Sequence, residues 1–68
     1  MNKNMLASKM KLYGDTISSL AEHIGIARAT LSNKINCTNG AEFTQNEIAM
    51  VKEKYNLTPN EVNEIFFA

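Results

Sequence analysis

Apolar residues recur along this chain at intervals of three and four, not in sustained alternation. Ile17, Leu20, Ala21 and Ile24 follow the i, i+3, i+4, i+7 spacing of one helix face. Leu31 and Ile35, four apart, line one face of a following helix. Upstream, Leu6, Met10 and Tyr13 share a face, with Met5 at its edge. Downstream, Ile48, Val51 and Tyr55 stripe one helix, and Val62, Ile65 and Phe66 another. No run of four or more alternating residues bounded by turns makes a strand. The pattern predicts an all-α fold of five helices in one domain over residues 1–68.

Residues with special backbone or capping chemistry set the boundaries. The first helix is expected from about Asn4 to Tyr13, ended by Gly14 and Asp15. Asp15 or Thr16 caps the second, because a short side-chain oxygen accepts from an orphan N–H there. Gly25, with no Cβ, suits the left-handed turn that ends it, and Ile26 plugs the corner. The third helix is expected from about Ala27 to Asn36, followed by a loop over Cys37, Thr38, Asn39 and Gly40. Thr44 with Glu47, and Thr58 with Glu61, each spell a capping box. Phe43 with Ile48, and Leu57 with Val62, have the spacing of hydrophobic staples. Pro59 takes a first helical position, where no donor is missed. These signals predict helices from about Gln45 to Lys54 and from Pro59 to Phe66.

Two short helices joined at a glycine have the layout of a helix-turn-helix, whose second helix can lie in the DNA major groove. With Leu31 and Ile35 inward and 100° per residue, Ala29, Asn33 and Asn36 point away from the core. Arg28 and Ser32 fall on one flank, Thr30 and Lys34 on the other. Arg28 offers a guanidinium fork to guanine and Asn33 an amide to adenine. Ala29 or the Thr30 methyl suits a thymine methyl, and Lys34 a phosphate. Thr16, Ser18 and Ser19 open the second helix, where hydroxyls and N–H groups can hold a phosphate. Asn36, Thr38 and Asn39 offer further backbone contacts. Each of these side chains also suits a plain solvated face or cap.

The residues Thr16, Leu20, Ala21, Glu22, Ile24, Gly25, Ile26, Arg28, Thr30, Leu31 and Ser32 resemble the phage Cro/repressor (lambda repressor-like, XRE-type) helix-turn-helix family. The run Phe43 to Ile48, and Tyr55 to Pro59 with Val62, Ile65 and Phe66, look like that family's fourth and fifth helices. The resemblance covers roughly residues 5 to 66. It implies a five-helix regulator that binds operator DNA through its third helix, often as a dimer, with no cofactor. Two positions depart from the pattern. Ile17 stands where many relatives carry a polar residue that braces the recognition helix, and here it is expected in the core. Ala27 replaces the usual Ser or Thr cap of the third helix, a loss of about 1 kcal/mol.

Charge alters this picture. Seven basic and seven acidic residues cancel, which is not the balance of a strong polyanion binder. Residues 1–40 carry Lys3, Lys9, Lys11, Arg28 and Lys34 against Asp15 and Glu22, a balance of +3, and the second half is correspondingly acidic. The helix-turn-helix lies in the basic half, yet the acidic half weakens long-range attraction to DNA. The C-terminal Val62, Ile65, Phe66 and Phe67 cannot all face one small core, so they form an expected protein interface. These features support a rival expectation, an antirepressor or modulator that acts by binding a partner repressor protein.

The remaining chemistry is sparse. Cys37 is the single cysteine, so no internal disulfide forms and a reducing, cytoplasmic setting is expected. No apolar run reaches the length of a membrane span, and no signal peptide is expected. His23 lies off the apolar stripe of its helix, and with Cys37 alone it makes no metal-ligand set. Cys37 has no paired base that would mark a nucleophile. No metal, cofactor or enzymatic activity is expected.

Overall fold

A computed structural model describes residues 1–67; Ala68, the last position of the expected domain, lies outside the described residues. The described chain contains five α-helices and no strand: α1 (Lys3–Leu12), α2 (Ile17–Ile24), α3 (Arg28–Asn36), α4 (Gln45–Tyr55) and α5 (Pro59–Phe66). One 3-10 turn, Thr38–Gly40, links α3 to α4. The bounds fall within a residue or so of those the apolar spacing predicts.

Capping sets most of those bounds. Asn2, not expected as a cap, accepts from the Met5 N–H at 3.1 Å and starts α1. Thr16 caps α2, and Ser19 returns the favour by accepting from the Thr16 N–H at 2.9 Å. Thr44 and Thr58 cap α4 and α5 with Glu47 and Glu61 in the same reciprocal form. Gly25 ends α2 at φ 87°, and its N–H and that of Ile26 both reach the Ala21 carbonyl. A Cβ at Gly25 would meet nothing within 4 Å, so the site demands glycine's backbone freedom, not its small size.

The helices close around Leu6, Leu20, Leu31, Val51, Tyr55 and Ile65, each under 2 % or at 2 % exposed. Each helix therefore contributes at least one side chain to a common core. Ile17, Ile26, Ile35 and Val62 pack at its edge, half-buried. Ile17 thus takes the apolar role the spacing gives it. The Asn2 N–H donates to the Ile65 carbonyl at 2.7 Å, tying the start of α1 to α5. The described chain measures 26 × 24 × 21 Å.

One polar knot fastens the α1–α2 turn to the end of α4. The Asp15 carboxylate accepts from the Tyr55 hydroxyl at 2.7 Å and from the Ser19 hydroxyl at 2.9 Å. The Lys54 ammonium lies 3.3 Å from the same carboxylate. Tyr13 packs tilted against Tyr55, with ring centroids 5.1 Å apart, and its hydroxyl donates to the Tyr55 carbonyl. Desolvation opposes the Asp15 charge, but the Tyr55 and Ser19 hydroxyls and Lys54 outweigh it and hold its pKa below the ordinary 3.8. Burial, and then the Asp15 charge, push the Tyr55 phenol upward.

A depressed carboxylate contributes stability that is complete above its unfolded pKa and is lost as pH falls through its folded one. The protein should therefore lose stability on acidification below about pH 4. Tyr55→Phe removes the largest contact favouring the Asp15 charge. It should cost about 1.5–3 kcal/mol at neutral pH and flatten the acid dependence. Thermal melts of both proteins at stepped pH check this, and parallel pH profiles would remove Asp15 as the source.

Candidate functional site

The exposed face of α3 is built by a single apolar anchor. Leu31 is fully buried and is the one buried residue of this helix. Ile35, one turn on, packs at the core's edge. Helical rotation then carries Ala29, Asn33 and Asn36 outward, and all three are exposed, as are Arg28 and Thr30. The side chains of Arg28, Thr30, Asn33 and Asn36 make no hydrogen bond or ion pair with other described residues. Their donors and acceptors face solvent on a helix whose opposite side is fixed.

The helix begins without help. Ala27 takes the cap position with extended backbone (φ −68°, ψ 149°) and supplies no side-chain hydrogen bond. The first N–H groups of α3 are left to solvent or to a ligand. Beside them, Ile17, Arg28, Ala29 and Ser32 line an open depression of about 500 Å³ between the starts of α2 and α3. Its lining brings the aliphatic Ile17 and Ala29 together with the Arg28 guanidinium and the Ser32 hydroxyl.

Among the expected phosphate contacts, Thr16 and Ser18 are exposed at the start of α2. Thr16 Oγ1 accepts from the Ser19 N–H at 3.1 Å, which leaves its own proton to donate outward. Ser18 has no intramolecular partner among the described residues. Thr38 and Asn39 are exposed in the 3-10 turn, where Asn39 takes φ 54°.

Lys34 departs from its expected role. Its ammonium turns away from solvent, 2.6 Å from Glu47 Oε1 and 3.3 Å from the Glu42 carbonyl. The two bridging side chains are only 14 % and 11 % exposed. The cause is the approach of the last turn of α3 to the capped start of α4, where Glu47 is held by the Thr44 N–H at 2.8 Å. Burial opposes the Glu47 charge, but Lys34 and the Thr44 N–H more than offset it and lower its pKa. Lys34 is therefore an internal counter-ion, not a solvent-facing phosphate ligand.

Arg28 remains the exposed, unbridged cation of α3. Lys9 and Lys54 are likewise bound, to Glu61 and Asp15.

The C-terminal set also divides. Ile65 is fully buried and belongs to the core, so it drops out of the expected interface. Val62 is half-buried on the same side, as the i, i+3 stripe of an eight-residue helix dictates. Phe66 packs edge-on against Phe43, with centroids 5.2 Å apart. Phe67, past the end of α5, is 61 % exposed. It rims a second depression, of about 180 Å³, with Phe43, Ile48, Phe66 and Cys37.

His23 and Cys37 are both exposed. Among the described residues no three His, Cys, Asp or Glu side chains gather as metal ligands would. No described helix is long and apolar enough to cross a membrane. Comparison with protein-family models, curated proteins and solved structures gives no match to this chain.

The Lys34–Glu47 bridge and the Asp15–Tyr55–Lys54 knot escape sequence reasoning. The capping spacing marks Glu47 as a local acceptor, but nothing local marks a lysine thirteen positions earlier as its partner.

Proposed function

We propose that this chain is a DNA-binding transcriptional regulator of the phage Cro/repressor type. In this reading α2 and α3 form a helix-turn-helix within a lambda repressor-like fold. The observation that carries the proposal is the outward row of α3. Arg28, Ala29, Thr30, Asn33 and Asn36 are exposed and unpartnered on a helix pinned from behind by Leu31. An unpaired guanidinium and two unpaired amides on a rigid helix have the chemistry of base-edge readout. Thr16 and Ser18, at the start of the preceding helix, supply backbone contacts that fix register. Two copies on one operator would double this short surface, and repression would follow from occupying promoter DNA without catalysis or a cofactor.

The electrostatic contribution is small. With Lys34 bridged, the α3 face offers one cation, and each neutralised phosphate adds only about 0.9 to the salt slope. Affinity then rests on base contacts more than on general attraction. Arg28→Ala should cost about 1–3 kcal/mol on a specific duplex and much less on a scrambled one. Titrations on a duplex selected from a random library, and on its scrambled form, read this difference. Equal losses would make Arg28 a phosphate contact, and no loss would remove it from the DNA surface.

One observation favours a protein partner beside or instead of DNA. Phe67 is exposed at the rim of a depression lined by Phe43, Ile48 and Phe66 beside Lys34 and Glu42, and its burial would contribute about 25 cal/mol per Å². Such an aromatic suits a second copy of the chain or a partner repressor, the latter making the protein an antirepressor. Phe67→Ser should leave the melting temperature nearly unchanged and weaken association. Sedimentation reads self-association, and a pull-down with a candidate partner repressor of the same fold reads the rival. If both persist at full strength, Phe67 is no anchor.

A further inference from the structure

The Lys34–Glu47 pair joins the end of α3 to the start of α4, so it bears directly on the face proposed to read DNA. Glu47 Oε1 accepts twice, from the Thr44 N–H at 2.8 Å and from the Lys34 ammonium at 2.6 Å. The first bond belongs to the helix cap and is made by glutamate or glutamine alike. The second needs the charge to hold the lysine inward. Around it α3 supplies no other side-chain bond, and α4 and its leading loop supply Glu47 and the Glu42 carbonyl. Lys34 sits one position after the exposed Asn33 and two before the exposed Asn36. Its four-carbon stem can swing outward once released.

We propose that Glu47 is a positioning residue that withholds Lys34 from the nucleic-acid phosphates. The carboxylate occupies the ammonium as a phosphate oxygen would. It thereby lowers sequence-independent attraction and leaves recognition to Arg28 and the amides of α3. This rests on the DNA-binding reading above and adds to it a device that sets how strongly the protein holds any duplex. The same glutamate serves as a local cap and as an internal competitor for a cation.

Glu47→Gln separates the two roles, since it keeps the cap acceptor and removes the charge. One test reads the lysine without DNA. Lys34 should be shielded from an amine-acylating reagent in the wild type and labelled several-fold faster in Glu47→Gln, as mass spectrometry of the peptides would record. The other test reads binding to a short random-sequence duplex over a salt series. Gaining one phosphate contact should steepen the salt slope by about 0.9 and raise affinity by up to about eightfold near 0.1 M salt. Adding Lys34→Gln to Glu47→Gln should erase that gain. Lys34→Gln alone should leave the wild-type slope unchanged, which keeps the proposal testable if Glu47→Gln folds poorly. Binding by wild type and Glu47→Gln with the same slope overturns the proposal, as does a slope lowered by Lys34→Gln alone. If no form binds duplex even at low salt, the DNA reading falls and the phosphate role of Lys34 with it. Unmasking of Lys34 in the labelling test would then show that the bridge alone stands.

Discussion

Burial of Leu31 is the constraint on which the outward face of α3 depends. It is the only fully buried side chain on that helix, and it fixes which residues look outward. A chain of this length has stability on the order of 3–10 kcal/mol, and truncating a buried leucine costs about 2–5. One side chain therefore holds a large share of the fold and the whole register of the surface. Ile35 alone, at the core's edge, would leave the helix free to rotate. Ala27 adds nothing at the other end, because it offers no cap bond. The helix is held by its middle and by the Lys34–Glu47 bridge at its end, while its first turn stays open to solvent.

The same economy runs through the polar contacts. Short side chains cap every helix but α3, and three of the acidic residues capture a lysine from elsewhere in the chain. Glu61 takes Lys9, Glu47 takes Lys34, and Asp15 takes Lys54. Each such pair removes a positive charge from the pool available to a polyanion. Formal neutrality thus has a structural counterpart, since the cations nearest the core are already spoken for. Pairs still open to solvent contribute little to stability, so for Lys9 and Glu61, each about a quarter exposed, the effect on surface potential outweighs the effect on folding. Asp15 differs, because two hydroxyls and an ammonium converge on it in a sheltered turn.

The helices were legible because their signals are local. Apolar spacing gave the faces, and Thr44, Thr58 and Gly25 gave ends that agree with the observed caps and left-handed turn. Ala29, Asn33 and Asn36 were legible as outward for the same reason, once Leu31 was set inward. Lys34 was not, because periodicity gives a direction on its own helix and says nothing of the helix arriving beside it. Ile65 errs in the opposite sense: the excess of apolar residues after Val62 suggests an interface, but its i, i+3 spacing with Val62 places it in the core. Tyr13, Asp15 and Tyr55 meet across some forty positions, a distance over which pattern carries no information.

The central claim is that the outward face of α3 is the working surface of the molecule. Backbone amide chemical shifts recorded while a selected duplex is titrated into labelled protein test it most directly. The account predicts that the largest changes fall on Arg28, Ala29, Thr30, Asn33 and Asn36, with smaller ones at Thr16 and Ser18. Changes confined to Phe66, Phe67 and the Phe43 region, or none along α3 at saturating duplex, would contradict it.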